Sequence, residues 1–252
     1  MAEGNQSASA PRRLIALGVV GVVTLMAVST IDGLTRDGGY DPMRHWVSLL
    51  SHGDRGWLGT ADLLVSGSLV AVSSIGFRTA LRGREGAVWT SVMIGIFGAG
   101  LVLAGLFPID PVQGYPTDAP PPPISWSGRL HSVAGTTVIV SLTAMCFVGA
   151  RLFSQPWSAS ASVRPRTLPL RPLARRLSLL AGWSILACVA LCSVSLSVSG
   201  TGSFEAAYAG AFQRLLLLVG STWIIALGVV LLTTMSDQVD STSPAAQQSD
   251  LV

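Results

Sequence analysis

Lysine is absent from this chain. All sixteen of its cations are arginine, and only 12% of its 252 residues are charged, against about 25% in an ordinary soluble domain. With half the residues apolar and a mean hydropathy of +0.57, that deficit excludes a soluble globular domain and indicates a membrane protein. The arginines are dispersed rather than gathered, so the net charge of +3 is not a nucleic-acid footprint. The motifs of common hydrolases are missing as well. There is no HExxH or HxxxH pair for zinc and no G-x-S-x-G elbow for a serine nucleophile.

Cysteine and histidine are scarce. Cys146, Cys188 and Cys192 lie inside apolar runs, where they read as small core residues that say nothing of redox compartment. The three histidines are His45, His52 and His131, and two of them fall in the single run DPMRHWVSLLSHGDRGW. On a helix turning about 100° per residue, Asp41, His45, Ser48 and His52 share one face, with Met43, Trp46, Leu49 and Leu50 opposite. The run therefore reads as an interfacial amphipathic helix. Its Trp46/Leu49/Leu50 side is expected in lipid and its His45/Ser48 side over the protein.

Long apolar runs are what the chain has in plenty. Six are long enough to cross about 30 Å of hydrocarbon, at roughly 14–34, 58–81, 87–107, 130–153, 178–198 and 212–235. Backbone polar groups in lipid must be satisfied internally, so each is expected as an α-helix. The fold class is all-α: a polytopic integral membrane protein with a six-helix domain over 14–235. It is flanked by an N-terminal tail, 1–13, and a disordered C-terminal tail, 236–252. The first run ends in VSTIDGL without an A-x-A-like cleavage site, so it reads as a retained anchor.

The arginines supply orientation. Arg12, Arg13, Arg78, Arg82, Arg84, Arg151, Arg164, Arg166, Arg171, Arg175 and Arg176 fall on one side. Arg36, Arg44, Arg55, Arg129 and Arg214 fall on the other, offset there by eight acidic residues. The positive-inside bias predicts a multi-pass cell-membrane protein with both termini in the cytoplasm. The 154–177 linker, rich in Pro, Ser and Arg, reads as a loose cytoplasmic loop near anionic headgroups. The 110–129 loop, with four consecutive prolines, reads as a semi-rigid external strap.

Sorted by depth, Asp32, His45, His52, Asp62, Asp110, His131 and Arg214 all fall at the external end. A charge inside a membrane segment costs on the order of 3 kcal/mol, so such groups pair or face a cavity. The expectation is an outward-facing polar pocket, with Asp62 and Arg214 as ligand-binding candidates and His45, Ser48, Asp110 and His131 as catalytic candidates. His45, Asp110 and His131 are also the candidates for holding a divalent metal such as zinc, whose bound water would serve hydrolysis. The plainer alternative is that Arg214 neutralises Asp62 or Asp110. The glycines of IGIFGAG (94–100) read as close helix packing rather than a broken transporter helix.

GYDPMRHWVSLLSHGDRGW, GLFPIDPVQGYP, LHSVAG and the FQRL of the last span resemble the actinobacterial branch of the family called domain of unknown function 998. The similarity covers about residues 14–235, and FP-x-DP followed about twenty residues later by LH is its most specific part. It implies a multi-spanning membrane architecture and marks His45, Ser48, Asp110, His131 and Arg214 as site positions, without an established role. A fainter similarity is to alkaline-ceramidase-like membrane hydrolases, which place a serine, an aspartate and three histidines around zinc. This chain has those residue types, but it has six spans rather than seven and lacks their paired histidines.

Three functional classes follow. The first is binding of a lipid or envelope-derived ligand in the pocket. The second is a metal-assisted lipid hydrolase with His45 and His131 as ligands, Asp110 as ligand or base and Arg214 on a phosphate or carboxylate. The third is a structural membrane partner whose polar residues are merely salt-bridged. The bilayer is the expected partner in all three.

Overall fold

In a computed structural model, residues 2–112, 115–116, 123–154, 171–198 and 208–241 are described, with side chains from Ser9 to Met235. The apolar runs become six helices long and apolar enough to cross a membrane. They are α1 (Ala2–Thr35), α2 (Gly56–Ala80), α3 (Ala87–Leu106), α4 (Trp126–Gly149), α5 (Arg171–Val198) and α6 (Ala209–Ser241). No strand forms among the described residues. The six helices overlap the six apolar runs, and α1, α5 and α6 extend beyond them. At Ala2–Arg13 and Arg171–Leu177 the sequence is polar but keeps enough Ala, Leu and Arg to propagate a helix already nucleated in the apolar segment. Residues 113–114 and 117–122 of the proline strap, most of the Pro/Ser/Arg linker (155–170) and the tail from 242 lie outside the described residues.

Each helix packs on its successor, and α6 returns onto α1, so the six close a ring. Across the ring, α4 and α6 touch only lightly. Small residues set the closest approaches. A Cβ on Gly67 of α2 would sit 2.7 Å from the Gly98 carbonyl of α3. Gly98 belongs to the glycine run read as a packing device, and there the two backbones do meet.

The segment between α1 and α2 departs from expectation. It is not an amphipathic helix. Asp41 organises a turn, its side chain accepting from the Met43 N–H at 2.8 Å and its carbonyl from the His45 N–H at 2.7 Å. Trp46 is then extended, and only Val47–Ser51 coils, as a short 3-10 turn. Leu49 and Leu50 are 0% and 1% exposed, while Met43 is 51% exposed. The side expected in lipid is thus inside. Pro42 and the Asp41 side-chain bond break the helical ladder. With helix given up, Val47, Leu49 and Leu50 gain more by inserting into the ring, where they contact α1, α2 and α6. The segment plugs one end of the bundle.

Candidate functional site

A plug without regular secondary structure exposes carbonyls that neither helix nor sheet satisfies, at a depth where water is scarce. Each such group needs a donor. Two arginines supply them. Arg36, just past α1, donates to the carbonyls of Leu50 (2.9 Å), His52 (2.6 Å) and Arg55 (3.3 Å), and pairs with Asp32 one turn back. Asp32 is also 3.4 Å from Arg55. Arg214, on the second turn of α6, donates to the carbonyls of Pro42 and His45, the latter at 2.8 Å, and to the Tyr40 hydroxyl. The plug repays α6 in kind. Its Arg44 and Met43 carbonyls accept from the Gly210 and Ala211 N–H groups at 3.1 and 2.8 Å, closing the open first turn of that helix.

His45 sits between these anchors. Its Nδ1 accepts from the Asp41 N–H at 2.9 Å, so the ring proton resides on Nε2 in the neutral form. Tyr40 and Tyr115 flank the ring, with centroids 5.5 Å away on each side. Burial pushes the His45 imidazole below its ordinary range; Asp41 opposes this, while Arg44 and Arg214 add to it. Burial likewise raises the Tyr40 and Tyr115 phenols, against the pull of the nearby arginines.

The other candidates serve the α3–α4 junction. Asp110 accepts from the Ser125 N–H (2.9 Å) and hydroxyl (2.5 Å), while Ser125 itself caps α4 through the Gly128 N–H. His131 Nδ1 lies 2.8 and 3.1 Å from the Phe107 and Ala104 carbonyls, the last acceptors of α3. His52 Nε2 reaches the Ile109 carbonyl at 2.7 Å. Asp62, buried in α2, accepts from the Ser66 hydroxyl at 2.9 Å.

His45 and Arg214 are therefore brought together, but through a backbone carbonyl. Asp110, His131 and Asp62 stand apart from them. Arg214 makes no ion pair with Asp62 or Asp110; its charge rests on carbonyl dipoles. Among the described residues no three His, Cys, Asp or Glu side chains are placed to hold a metal ion. At this end the plug's carbonyls take up the donors of Arg36 and Arg214.

Open space lies beneath the plug. A cavity of about 350 Å³ is bounded by α4, α5 and α6, with Leu25, Leu63 and Leu101 closing its inner wall. Its lining is mostly aliphatic. Ser132 and Thr136 of α4 and Ser193 of α5 line it and are exposed, so it opens sideways between those two helices. Gly135 of α4 faces this space: a Cβ there would meet nothing within 4 Å. Two of the sequence candidates, Ser48 and His131, line the cavity, joined by Gln213 of α6.

Sequence reasoning missed Arg36, Tyr40, Tyr115 and Gln213. Arg36 had a signal, its i,i+4 spacing from Asp32; Tyr40, Tyr115 and Gln213 stand in the GYDP, QGYP and FQRL motifs, but Tyr115 and Gln213 act across long sequence separations that no spacing discloses. No curated protein and no solved structure matches this chain. A family model does, over residues 19–230. The chain belongs to the family described as Protein of unknown function (DUF998).

Proposed function

We propose that the protein binds a membrane lipid, taking an apolar chain into the cavity bounded by α4, α5 and α6. The observation that carries this reading is the cavity itself: about 350 Å³, aliphatic within, and open laterally between two helices of hydrocarbon-spanning length. A ligand that reaches such an opening does so from the bilayer, not from water. The arginine distribution supports placing both termini in the cytoplasm of a cell-membrane protein, which puts the cavity in the outer leaflet. In this reading Arg36 and Arg214 are positioning residues that hold the plug over the cavity. The metal-assisted hydrolase receives no support from the placement of His45, Asp110 and His131, each of which is bonded to backbone or to a cap.

The test uses Gly135. A Cβ at Gly135 meets nothing within 4 Å, so Gly135→Leu extends its side chain into the cavity, and the change removes a mid-helix glycine that itself costs about 1 kcal/mol. Lipid co-purifying with the wild type, measured by mass spectrometry per folded chain, should fall several-fold in Gly135→Leu and persist in Gly135→Ala. Equal lipid in all three would count against the cavity as the binding site.

A further inference from the structure

The roof of the cavity is polar, and its hydrogen-bonding capacity can be read group by group. His131 is 4% exposed, and its Nδ1 lies against two carbonyls, which only accept. The Nδ1 atom must therefore carry the proton, and Nε2 is left as a bare acceptor. Gln213 is oriented the same way by its partner. Its Oε1 accepts from the Val47 N–H at 2.8 Å, which fixes the amide flip and leaves the –NH₂ as a donor. The Ser48 hydroxyl, next in sequence to that N–H, makes no hydrogen bond among the described residues and serves as either. All three residues line the one cavity.

No arginine lines it. Both terminal nitrogens of Arg214 are committed to the plug, and those of Arg36 to the plug and Asp32. A phosphate at this roof would be desolvated without a cation, and a plain hydrocarbon would leave one acceptor and one donor unmet. A neutral group that both donates and accepts satisfies them together.

We infer that the ligand is a lipid bearing a free hydroxyl, its O–H donating to His131 Nε2 and its oxygen accepting from the Gln213 amide, with Ser48 as the third partner. The inference rests on the cavity reading above and sharpens it to a chemical class: uncharged lipid alcohols, rather than phospholipids bound through phosphate.

Three probes of equal chain length separate the alternatives: 1-dodecanol, n-dodecane and dodecyl phosphate. Each is titrated onto the full chain, freed of lipid in a short-chain detergent, and bound probe is counted by native mass spectrometry. The expected result is that 1-dodecanol binds at least about tenfold more tightly than the other two. Ser48→Ala should reduce that preference several-fold, with a thermal melt matching wild type reporting that the variant is folded. Equal affinity for all three, tighter dodecyl phosphate, or a preference untouched by Ser48→Ala would overturn the hydroxyl assignment while leaving the cavity reading intact. Failure of every probe to bind, with Gly135→Leu indistinguishable from wild type, would remove the cavity reading and this inference with it.

Discussion

If Arg36 exists to satisfy the plug, then replacing it should cost more than removing the charge of its acidic partner. The Asp32 and Arg36 side chains are 1% and 4% exposed, so neither charge is hydrated. Arg36→Met keeps the packing stem but strands the carbonyl of Leu50, leaves the His52 carbonyl only the Tyr115 hydroxyl at 3.2 Å, and leaves Asp32 only the half-exposed Arg55 at 3.4 Å. Breaking a buried pair costs about 3–5 kcal/mol, and each stranded carbonyl carries a penalty of about 1–3 kcal/mol where water cannot reach. A loss of about 3–5 kcal/mol is expected, since water at the bundle end relieves part of the sum. Asp32→Asn also breaks the pair, but the Arg36 charge keeps the carbonyl dipoles of Leu50, His52 and Arg55 and an amide acceptor beside it. The full pair-breaking cost therefore does not apply, and about 1–2 kcal/mol is expected there. Unfolding by steric trapping in bicelles measures both. An Asp32→Asn loss equal to or above that of Arg36→Met would mean that the ion pair, not carbonyl satisfaction, is what the site is built for.

Three further outcomes are expected. Gly128→Ala should destabilise the protein by about 1–3 kcal/mol, because its Cβ would overlap the Asp110 carboxylate that anchors the α4 cap, whereas Gly135→Ala should stabilise it by about 0.5–1 kcal/mol; paired thermal melts decide between the two. Burial holds the folded His45 below its ordinary range, so the unfolded chain binds more protons once pH falls below about 6.5. Stability from this group is full above that pH and is lost as pH drops toward the folded value; melts from pH 7.5 to 5 should decline in wild type and decline less in His45→Gln, and parallel declines would exclude His45. In a background with Cys146, Cys188 and Cys192 replaced by Ala, a membrane-impermeant maleimide on intact cells should label Asp37→Cys but not Arg82→Cys, both exposed positions, and the reverse would invert the topology.

The six spans were legible because hydropathy over about twenty residues depends on composition alone, and the bilayer leaves helix as the only solution. The plug was not. Periodicity placed Leu49 and Leu50 toward lipid, but their burial depends on Gln213 capping the Val47 N–H and Arg214 gathering the Pro42 and His45 carbonyls, partners more than 160 residues away. Nor does sequence disclose that a charged side chain is spent on backbone. Arg214 and His131 were marked by type and position, yet what each leaves free is set by which carbonyls lie beside it. His131, its Nδ1 set against two carbonyls, lines the cavity, whereas both terminal nitrogens of Arg214 are bonded to the plug.

The most direct measurement is an experimental density map of the protein in lipid nanodiscs. The account predicts an elongated feature between α4, α5 and α6, running from the Leu25 and Leu101 wall to a head beside Ser48, His131 and Gln213, and absent in Gly135→Leu. A cavity that is collapsed, or that holds only discrete waters in the wild type, would contradict it.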